Sequence, residues 1–336
     1  MRRTRPAAII SMLAFALIAA VLTIPAALSA GDISGILQAA ERQFNSGNYS
    51  SSITTLQSAV TQNPNSAETF YWLGRNYYEL RDYDNAIANA EKSVQLDPKN
   101  SLYHMWLGRA FGGKADRERS FSIAKKVKKE FQEAVQLNPS NLQARRDLEE
   151  YDLDAPWIVG GDKDEAKAQV ESIAAIDPVE GHLARATLYV ESKKPELAEA
   201  EYQEVMKAKP NRLDPYLEVA TFYLKRGKPT DAETAIQAAA QTSPNDARLN
   251  FYRGVSRVVA GIEQPRAEEY LKSYLASTPD RSDWPTHASA RDWLGRLYEA
   301  EGKRAEAAEQ YRAALQLDPS RKDTKTRLQQ LEKKSR

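Results

Sequence analysis

The sequence predicts an all-α protein, a solenoid of about eight helix-turn-helix units followed by a C-terminal capping helix. Three observations predict it: a proline period, a repeated frame of apolar residues, and a composition that favours helix, with glycine and proline at unit boundaries. The prolines recur at gaps of 34, 41, 39, 32, 34, 35 and 40 residues, at Pro64, Pro98, Pro139, Pro178, Pro210, Pro244, Pro279 and Pro319. Such a period is typical of units that bury their apolar faces only by stacking.

The units follow from the residues that they share, in chain order. The first carries Ala40, Phe44, Gly47, Tyr49, Ser52, Leu56, Ala59 and Pro64. The second carries Phe70, Leu73, Gly74, Tyr77, Ala86, Ala90 and Pro98. The fourth has Leu148, Tyr151, Ala166 and Val170 but lacks the glycine. The sixth carries Tyr216, Ala220, Tyr223, Gly227, Ala232, Ile236, Ala239 and Pro244, and the eighth carries Leu294, Gly295, Tyr298, Ala307, Tyr311 and Pro319.

Each recurring position has a physical reason. Small residues such as Gly74 and Ala86 allow two antiparallel helices to cross closely. Large residues such as Leu73 and Tyr77, spaced for one helical face, fill the space between neighbouring units. Proline lacks an amide hydrogen and disfavours helix in the residue before it, so it ends the second helix of each unit.

The arrangement resembles the tetratricopeptide repeat family, and the resemblance covers residues 33 to 319. It implies a right-handed superhelix whose concave groove is lined by the first helix of every unit and binds a protein or peptide. Carried over by number, the groove residues that it implies are Tyr71, Arg75, Tyr78, Met105, Arg109, Leu217, Leu224, Phe251 and Val255. Tyrosine and arginine contribute strongly at protein interfaces, whereas the apolar members would be exposed unless a ligand or the next unit covered them.

The N-terminal segment, residues 1–30, differs from the rest. Arginines come before an uncharged stretch of 24 residues, Ala7–Ala30, which contains Pro25 and ends in small residues. This order predicts a secretory signal peptide cleaved after Ser29 or Ala30. The alternative is an uncleaved membrane anchor, because the stretch is long enough to span a bilayer. Both interpretations place the repeats outside the cytoplasm, either periplasmic or secreted, or anchored to the inner membrane.

The sequence therefore divides into three parts. Residues 1–30 form the leader or anchor, residues 31–319 form the solenoid with insertions near 112–120, 154–164 and 280–287, and residues 320–336 form a capping helix and tail. In the last part Leu328 and Leu331 lie on one side of a charged helix from Lys322 to Lys334. A polar outer face of this kind is expected of a terminal cap.

Composition limits the chemistry. The chain has no cysteine, which excludes a lipid-modified cysteine, disulfides and thiol chemistry. Removal of the leader's three arginines leaves 44 basic against 46 acidic residues, so nucleic acid is not an expected partner. The basic stretch Lys125, Lys126, Lys128 and Lys129 is interpreted as a solvated helix face, with contact to anionic lipid headgroups or an acidic partner as the alternative.

No catalytic set converges in the sequence. The three histidines fall in separate units, and no phosphate loop or nucleophile elbow is present. We therefore expect no catalytic site, metal or cofactor. The alternative is an enzyme or enzyme accessory that uses the insertions 112–120 and 154–164, in which case Asp154, Asp162 and Asp164 would meet a histidine or arginine in one pocket.

Two details of the second insertion remain to be decided by the structure. Trp157, Ile158 and Val159 form an apolar triplet that either packs on the neighbouring repeat or meets a partner. Asp162 is expected to cap the start of a helix.

The leading hypothesis is a non-catalytic interaction scaffold of the bacterial cell envelope that docks a peptide or helix of a partner protein in the concave groove. Membrane contact is expected only through an uncleaved N-terminal anchor.

Overall fold

A computed structural model of the protein describes residues 30–277 and 279–333, and in these ranges the chain is all-α, without a strand. The predicted leader lies outside the described residues, apart from Ala30, which begins the first helix. Within the same ranges, no helix combines the length and the apolar character that crossing a bilayer requires.

Seventeen α-helices and one short 3-10 helix, Trp157–Val159, make up the described part. The first helices of the eight units are α1 (Ala30–Asn45), α3 (Ala67–Glu79), α5 (Ser101–Glu118), α7 (Leu142–Asp154), α9 (Pro178–Glu191), α11 (Asp214–Lys225), α13 (Arg248–Ala260) and α15 (His287–Ala300). Their partners are α2 (Tyr49–Gln62), α4 (Tyr83–Leu96), α6 (Phe121–Leu137), α8 (Lys163–Ile176), α10 (Pro195–Ala208), α12 (Pro229–Thr242), α14 (Gln264–Ser277) and α16 (Arg304–Leu317). The cap is α17 (Lys322–Lys333), so the predicted eight-unit solenoid is confirmed.

Close helix crossings occur where the sequence places small residues. A Cβ added to Gly74 would lie 3.2 Å from the carbonyl oxygen of Ala86, across the α3–α4 interface. At the matching position of unit three, a Cβ on Gly108 would lie 2.5 Å from the ring of Phe131. The glycine therefore sets how near the two helices of a unit approach each other.

The cap seals the last unit as expected. Leu331 is buried against Tyr298 and Tyr311, with Leu328 packed beside it. Thr324, also buried, donates a hydrogen bond of 2.6 Å to Asp292 of α15. The polar remainder of α17 faces solvent, which ends the stack without an exposed apolar face.

The extra residues of unit three do not form the loop that was expected at 112–120. They lengthen the two helices instead, to 18 residues in α5 and 17 in α6. Gly113 lies inside α5 against the ring of Tyr83, and the turn between the helices is made by Arg119 in the left-handed conformation. Helix propensity of the segment and its packing on unit two outweigh the two glycines.

The segment between α14 and α15 closes the solenoid. We call residues 279–286 the closing segment. Ser282 donates hydrogen bonds from its backbone nitrogen and its hydroxyl to the carboxylate of Glu79, at 2.8 and 2.9 Å. The hydroxyl of Tyr49 donates to the carbonyl of Asp280 at 3.0 Å, and the Arg281 guanidinium lies 5.5 Å from the centre of the Phe44 ring. The seventh and eighth units are thereby held against the first two.

Candidate interaction surface

The first helices form the concave side of the solenoid. Each of them contacts the first helix of the next unit, from α1 through to α15. The second helices lie outside this row, each packed on its own partner and on the unit that follows. The concave side is therefore lined as the resemblance implied.

Most of the predicted groove residues are buried rather than open to a partner. Six of the nine have at most 8% of their surface exposed: Tyr71, Met105, Leu217, Leu224, Phe251 and Val255. Met105 has no exposed surface and packs on Ala134 and Ala144. The expectation that these six face an open groove is wrong, because packing against neighbouring first and second helices covers them.

Three predicted residues, Arg75, Tyr78 and Arg109, remain half-buried at the concave side. Arg75 is enclosed by aromatic rings, with its guanidinium carbon 4.5 Å from the centre of the Phe44 ring and 4.6 Å from that of Trp106. It also donates to the Tyr71 hydroxyl at 3.2 Å. These cation–π contacts indicate a structural role for Arg75 in joining units one to three.

Tyr78 and Arg109 continue this surface toward unit four. Burial raises the pKa of Tyr78 to about 12, so its hydroxyl stays protonated and available as a donor. Arg109 forms a two-point ion pair with Asp147 of α7, at 2.6 and 2.9 Å. Burial raises the pKa of Asp147, and the guanidinium of Arg109 opposes that rise. Partner binding by these residues stays a prediction.

Farther along the concave side lies a group of carboxylates that the sequence analysis did not identify. We call Glu149, Glu150, Glu180 and Glu218 the acidic cluster; they come from α7, α9 and α11. Arg146 is the central cation, 3.7 Å from Glu149 and 3.4 Å from Glu218. Arg212, 3.0 Å from Glu180, is the second. Carboxylates therefore outnumber guanidinium groups four to two.

The acidic cluster is electrostatically strained. Burial raises the pKa of Glu149 to about 8, with repulsion from Glu218 adding to it and attraction to Arg146 opposing it. Glu149 is 1% exposed, and its Oε1 atom has no hydrogen-bond partner among the described residues. Glu150 reaches solvent, yet partial burial inside the concave surface and repulsion from Asp147 raise its pKa.

The signal for this cluster was present but scattered. Glu149 and Glu150 follow Arg146 by three and four residues on α7, which is about one helical turn, so both lie next to Arg146 on the helix surface. Their partners Glu180 and Glu218 lie in the following two units. A comparison of the first helices by sequence alone does not show that these glutamates lie together, because that depends on how each unit is rotated relative to the one before it.

The carboxylates of the second insertion have separate roles. Asp162 caps α8, as predicted, by accepting from the backbone nitrogens of Asp164 and Glu165. Asp164 pairs with Lys167 at 2.7 Å and points to solvent. Nowhere in the described part do three or more histidine, aspartate or glutamate side chains gather in a group suited to a metal ion.

The three apolar residues of that insertion behave differently: one packs on the repeats and two face solvent. Val159 is 3% exposed and packs on the array, whereas Trp157 is 84% exposed and Ile158 is 50% exposed. One residue thus anchors the loop while the other two face solvent.

Comparison with known proteins agrees with the repeat frame. The tetratricopeptide repeat family matches residues 67–100 and 288–321, and a second description of the same repeat matches residues 189–250. No curated protein matches the chain.

Three solved structures illustrate the likeness in fold. The APC/C hetero-tetramer Cut9–Hcn1 is 12% identical with a TM-score of 0.50, over 90% of this chain and 57% of that one. The thermophilic TPR protein TTC0263 of Thermus thermophilus is 22% identical with a TM-score of 0.47, over 57% of this chain and 99% of that one. A tetratricopeptide repeat protein from Parabacteroides merdae is 13% identical with a TM-score of 0.45, over 90% of this chain and 99% of that one.

Proposed function

The chain is a tetratricopeptide repeat protein, and we propose that it is a non-catalytic scaffold that binds a basic segment of a partner protein on its concave side. Repeats of this family generally mediate protein–protein interaction. The proposal adds where the partner binds and what charge it carries.

The observation that supports it is the acidic cluster, in which carboxylates outnumber guanidinium groups and the Oε1 atom of Glu149 has no hydrogen-bond partner in the described part. Charges held away from bulk water interact more strongly than exposed ones, and an excess of one sign there is costly unless it is compensated. A lysine or arginine side chain of a partner would supply the missing positive charge near Glu150 and Glu218. The bound segment is therefore expected to be basic.

The location that we propose is the cell envelope, with the repeats outside the cytoplasm. The basic start, uncharged stretch and small residues of the leader support export, and the absence of cysteine suits an oxidising compartment. An alkaline phosphatase domain fused after Arg336 should be active in intact bacteria if the chain is exported. An inactive fusion that is present at full length would contradict it.

Site-specific photo-crosslinking in the cells that make the protein tests the scaffold proposal. A photoreactive phenylalanine analogue would replace Tyr78 or Glu150 on the concave side, with Glu309, exposed on α16, as the control position. We expect the same partner to be captured at both concave positions and not at the control. Equal capture at all three positions, or capture at the control alone, would refute concave binding.

A charge test follows on the captured partner. Replacement of Glu150→Gln together with Glu218→Gln should weaken its binding about tenfold or more and reduce the salt dependence of the affinity. The matched control is Glu306→Gln with Glu309→Gln, two exposed glutamates of α16 that change the net charge equally. If both pairs behave alike, the acidic cluster is not the binding site.

A further inference from the structure

Two features that are far apart in the sequence meet on the outer side of the solenoid. The basic stretch of α6 and the insertion between α7 and α8 enclose an open recess of about 330 Å³. We call it the α6 recess, and its lining residues are Lys125, Lys128, Lys129, Gln132, Trp157, Ile158, Val159 and Gly160. Because α6 is a second helix, the recess lies apart from the concave side and its acidic cluster.

The wall formed by the insertion is held in place by hydrogen bonds and one ion network. The Tyr151 hydroxyl lies 2.8 Å from the carbonyl oxygen of Ala124 on α6 and 2.9 Å from that of Val159. The ammonium of Lys128 donates to the Gly160 carbonyl and lies 2.8 Å from both Asp152 and Glu165. Burial lowers the pKa of Lys128, but hydrogen bonds to these two carboxylates outweigh burial, so the pKa is raised overall.

Both walls of the recess expose side chains that could bind a ligand. Trp157 is held with 84% of its surface exposed, although tryptophan side chains are on average highly buried. On the opposite wall, Lys125 and Lys129 form no ion pair among the residues that the structure describes. Phe121, 62% exposed, lies one turn before Lys125 on the same helical face. The recess thus combines free positive charge with exposed aromatic surface.

We propose that the α6 recess binds a segment of a partner protein that carries acidic side chains beside an apolar one. The carboxylates pair with Lys125 and Lys129, and the apolar side chain packs on Trp157 and Ile158. Tryptophan is one of the residue types that most often contribute strongly to binding at protein interfaces.

The charge around the recess favours a peptide over a bilayer. Asp154, Asp162 and Asp164 are exposed on the same insertion beside Lys163, so carboxylates interrupt the positive charge around the recess. Attraction to an anionic membrane adds up over many cationic residues spread across a surface, which this face lacks. A short acidic segment needs only the two free lysines.

A selection experiment tests the proposal on the full-length protein. A phage library of random dodecapeptides is selected on the wild type and depleted on the Trp157→Ala variant. We expect the retained peptides to be rich in aspartate and glutamate around one aromatic or aliphatic residue. Retained peptides that are neutral or basic, or no peptide that distinguishes the two proteins, would overturn it.

Binding of a selected peptide is then measured by fluorescence anisotropy. Trp157→Ala, and separately Lys125→Glu with Lys129→Glu, should each weaken binding about tenfold or more. The matched control is Lys322→Glu with Lys325→Glu, exposed lysines of α17, which should leave binding unchanged, as should Glu150→Gln. Circular dichroism melting checks that the variants fold as the wild type does. Weakening by the α17 pair equal to that by the recess pair would reduce the effect to net charge and overturn the assignment.

Competition with vesicles separates the peptide from a lipid surface. Phosphatidylcholine and phosphatidylglycerol vesicles are added in separate samples to the protein–peptide complex. We expect neither to release the peptide. Release by phosphatidylglycerol alone, together with weaker co-sedimentation of the peptide-free Lys125→Glu, Lys129→Glu variant with the same vesicles, would assign the recess to anionic lipid and overturn the proposal.

Discussion

Glutamine in place of Glu149 is expected to stabilise the protein, and the gain should grow with pH. Burial raises the pKa of Glu149 from 4.5 to about 8 in the folded state, whereas the unfolded chain keeps the ordinary value. The folded state therefore binds this proton more tightly than the unfolded state does. Stability is lost as the pH rises from about 4.5 to about 8, and above that range the loss stays constant.

The magnitude follows from the difference between the two pKa values. A difference of about 3.5 corresponds to about 5 kcal/mol once the pH exceeds 8, and to near zero at pH 4.5. The groups that face Glu149 are Arg146, Glu150, Glu180 and Glu218, and Arg146 alone offsets the repulsion. Because glutamine keeps the shape of the protonated acid, Glu149→Gln should recover much of that energy at pH 9.

Urea unfolding at pH 5 and pH 9 measures the effect, followed by circular dichroism. Hydrogen exchange of the α7 peptides, corrected for the intrinsic dependence of exchange on pH, reports the same change locally. Glu309→Gln, at an exposed position outside any ion pair of the described part, is the control and should change stability equally at both pH values. A Glu149→Gln effect that is the same at pH 5 and pH 9 would refute the reasoning.

Three further outcomes are expected. Gly108→Ala should cost about 1–3 kcal/mol of unfolding free energy, because the new methyl group meets the ring of Phe131. Gly112→Ala should gain about 0.5–1 kcal/mol, because the space around Gly112 in the same helix is open. Equal melting temperatures of the two variants would contradict this. Glu79→Ala removes both hydrogen bonds from Ser282, and faster hydrogen exchange in residues 279–286 should reveal a loss of about 1–2 kcal/mol, while unchanged exchange would show that other contacts hold the segment. Arg109→Ala leaves the carboxylate of Asp147 unpaired and should cost about 3 kcal/mol in urea unfolding, so a loss below about 1 kcal/mol would show that solvent replaces the guanidinium.

The repeat frame was predictable because it depends on local physics. Proline spacing, the small residues Gly74 and Gly295, and the apolar faces act within one or two helices, and the structure places them as expected. Even the fourth unit, which lacks the glycine, forms α7 with Leu148 buried. Stacking of neighbours completes a helix whose own sequence is irregular.

The surface was harder to predict because it depends on rotations between units. Met105 fits the groove position of its helix, but the structure places it in the core against Ala134 and Ala144. The acidic cluster joins three units, and the contact of Ser282 with Glu79 spans 203 residues. No local pattern encodes such distances, since small angles accumulate over every intervening unit.

The closing segment has a consequence for how such a protein evolves. Open repeat arrays gain or lose copies by duplication and deletion, because each unit needs only its two neighbours. Here Ser282 reaches Glu79 only at one particular copy number. One more unit, or one fewer, would carry the hydroxyl past its acceptor. This contact therefore fixes the number of units, and a change in that number would require a new contact between the two ends of the array.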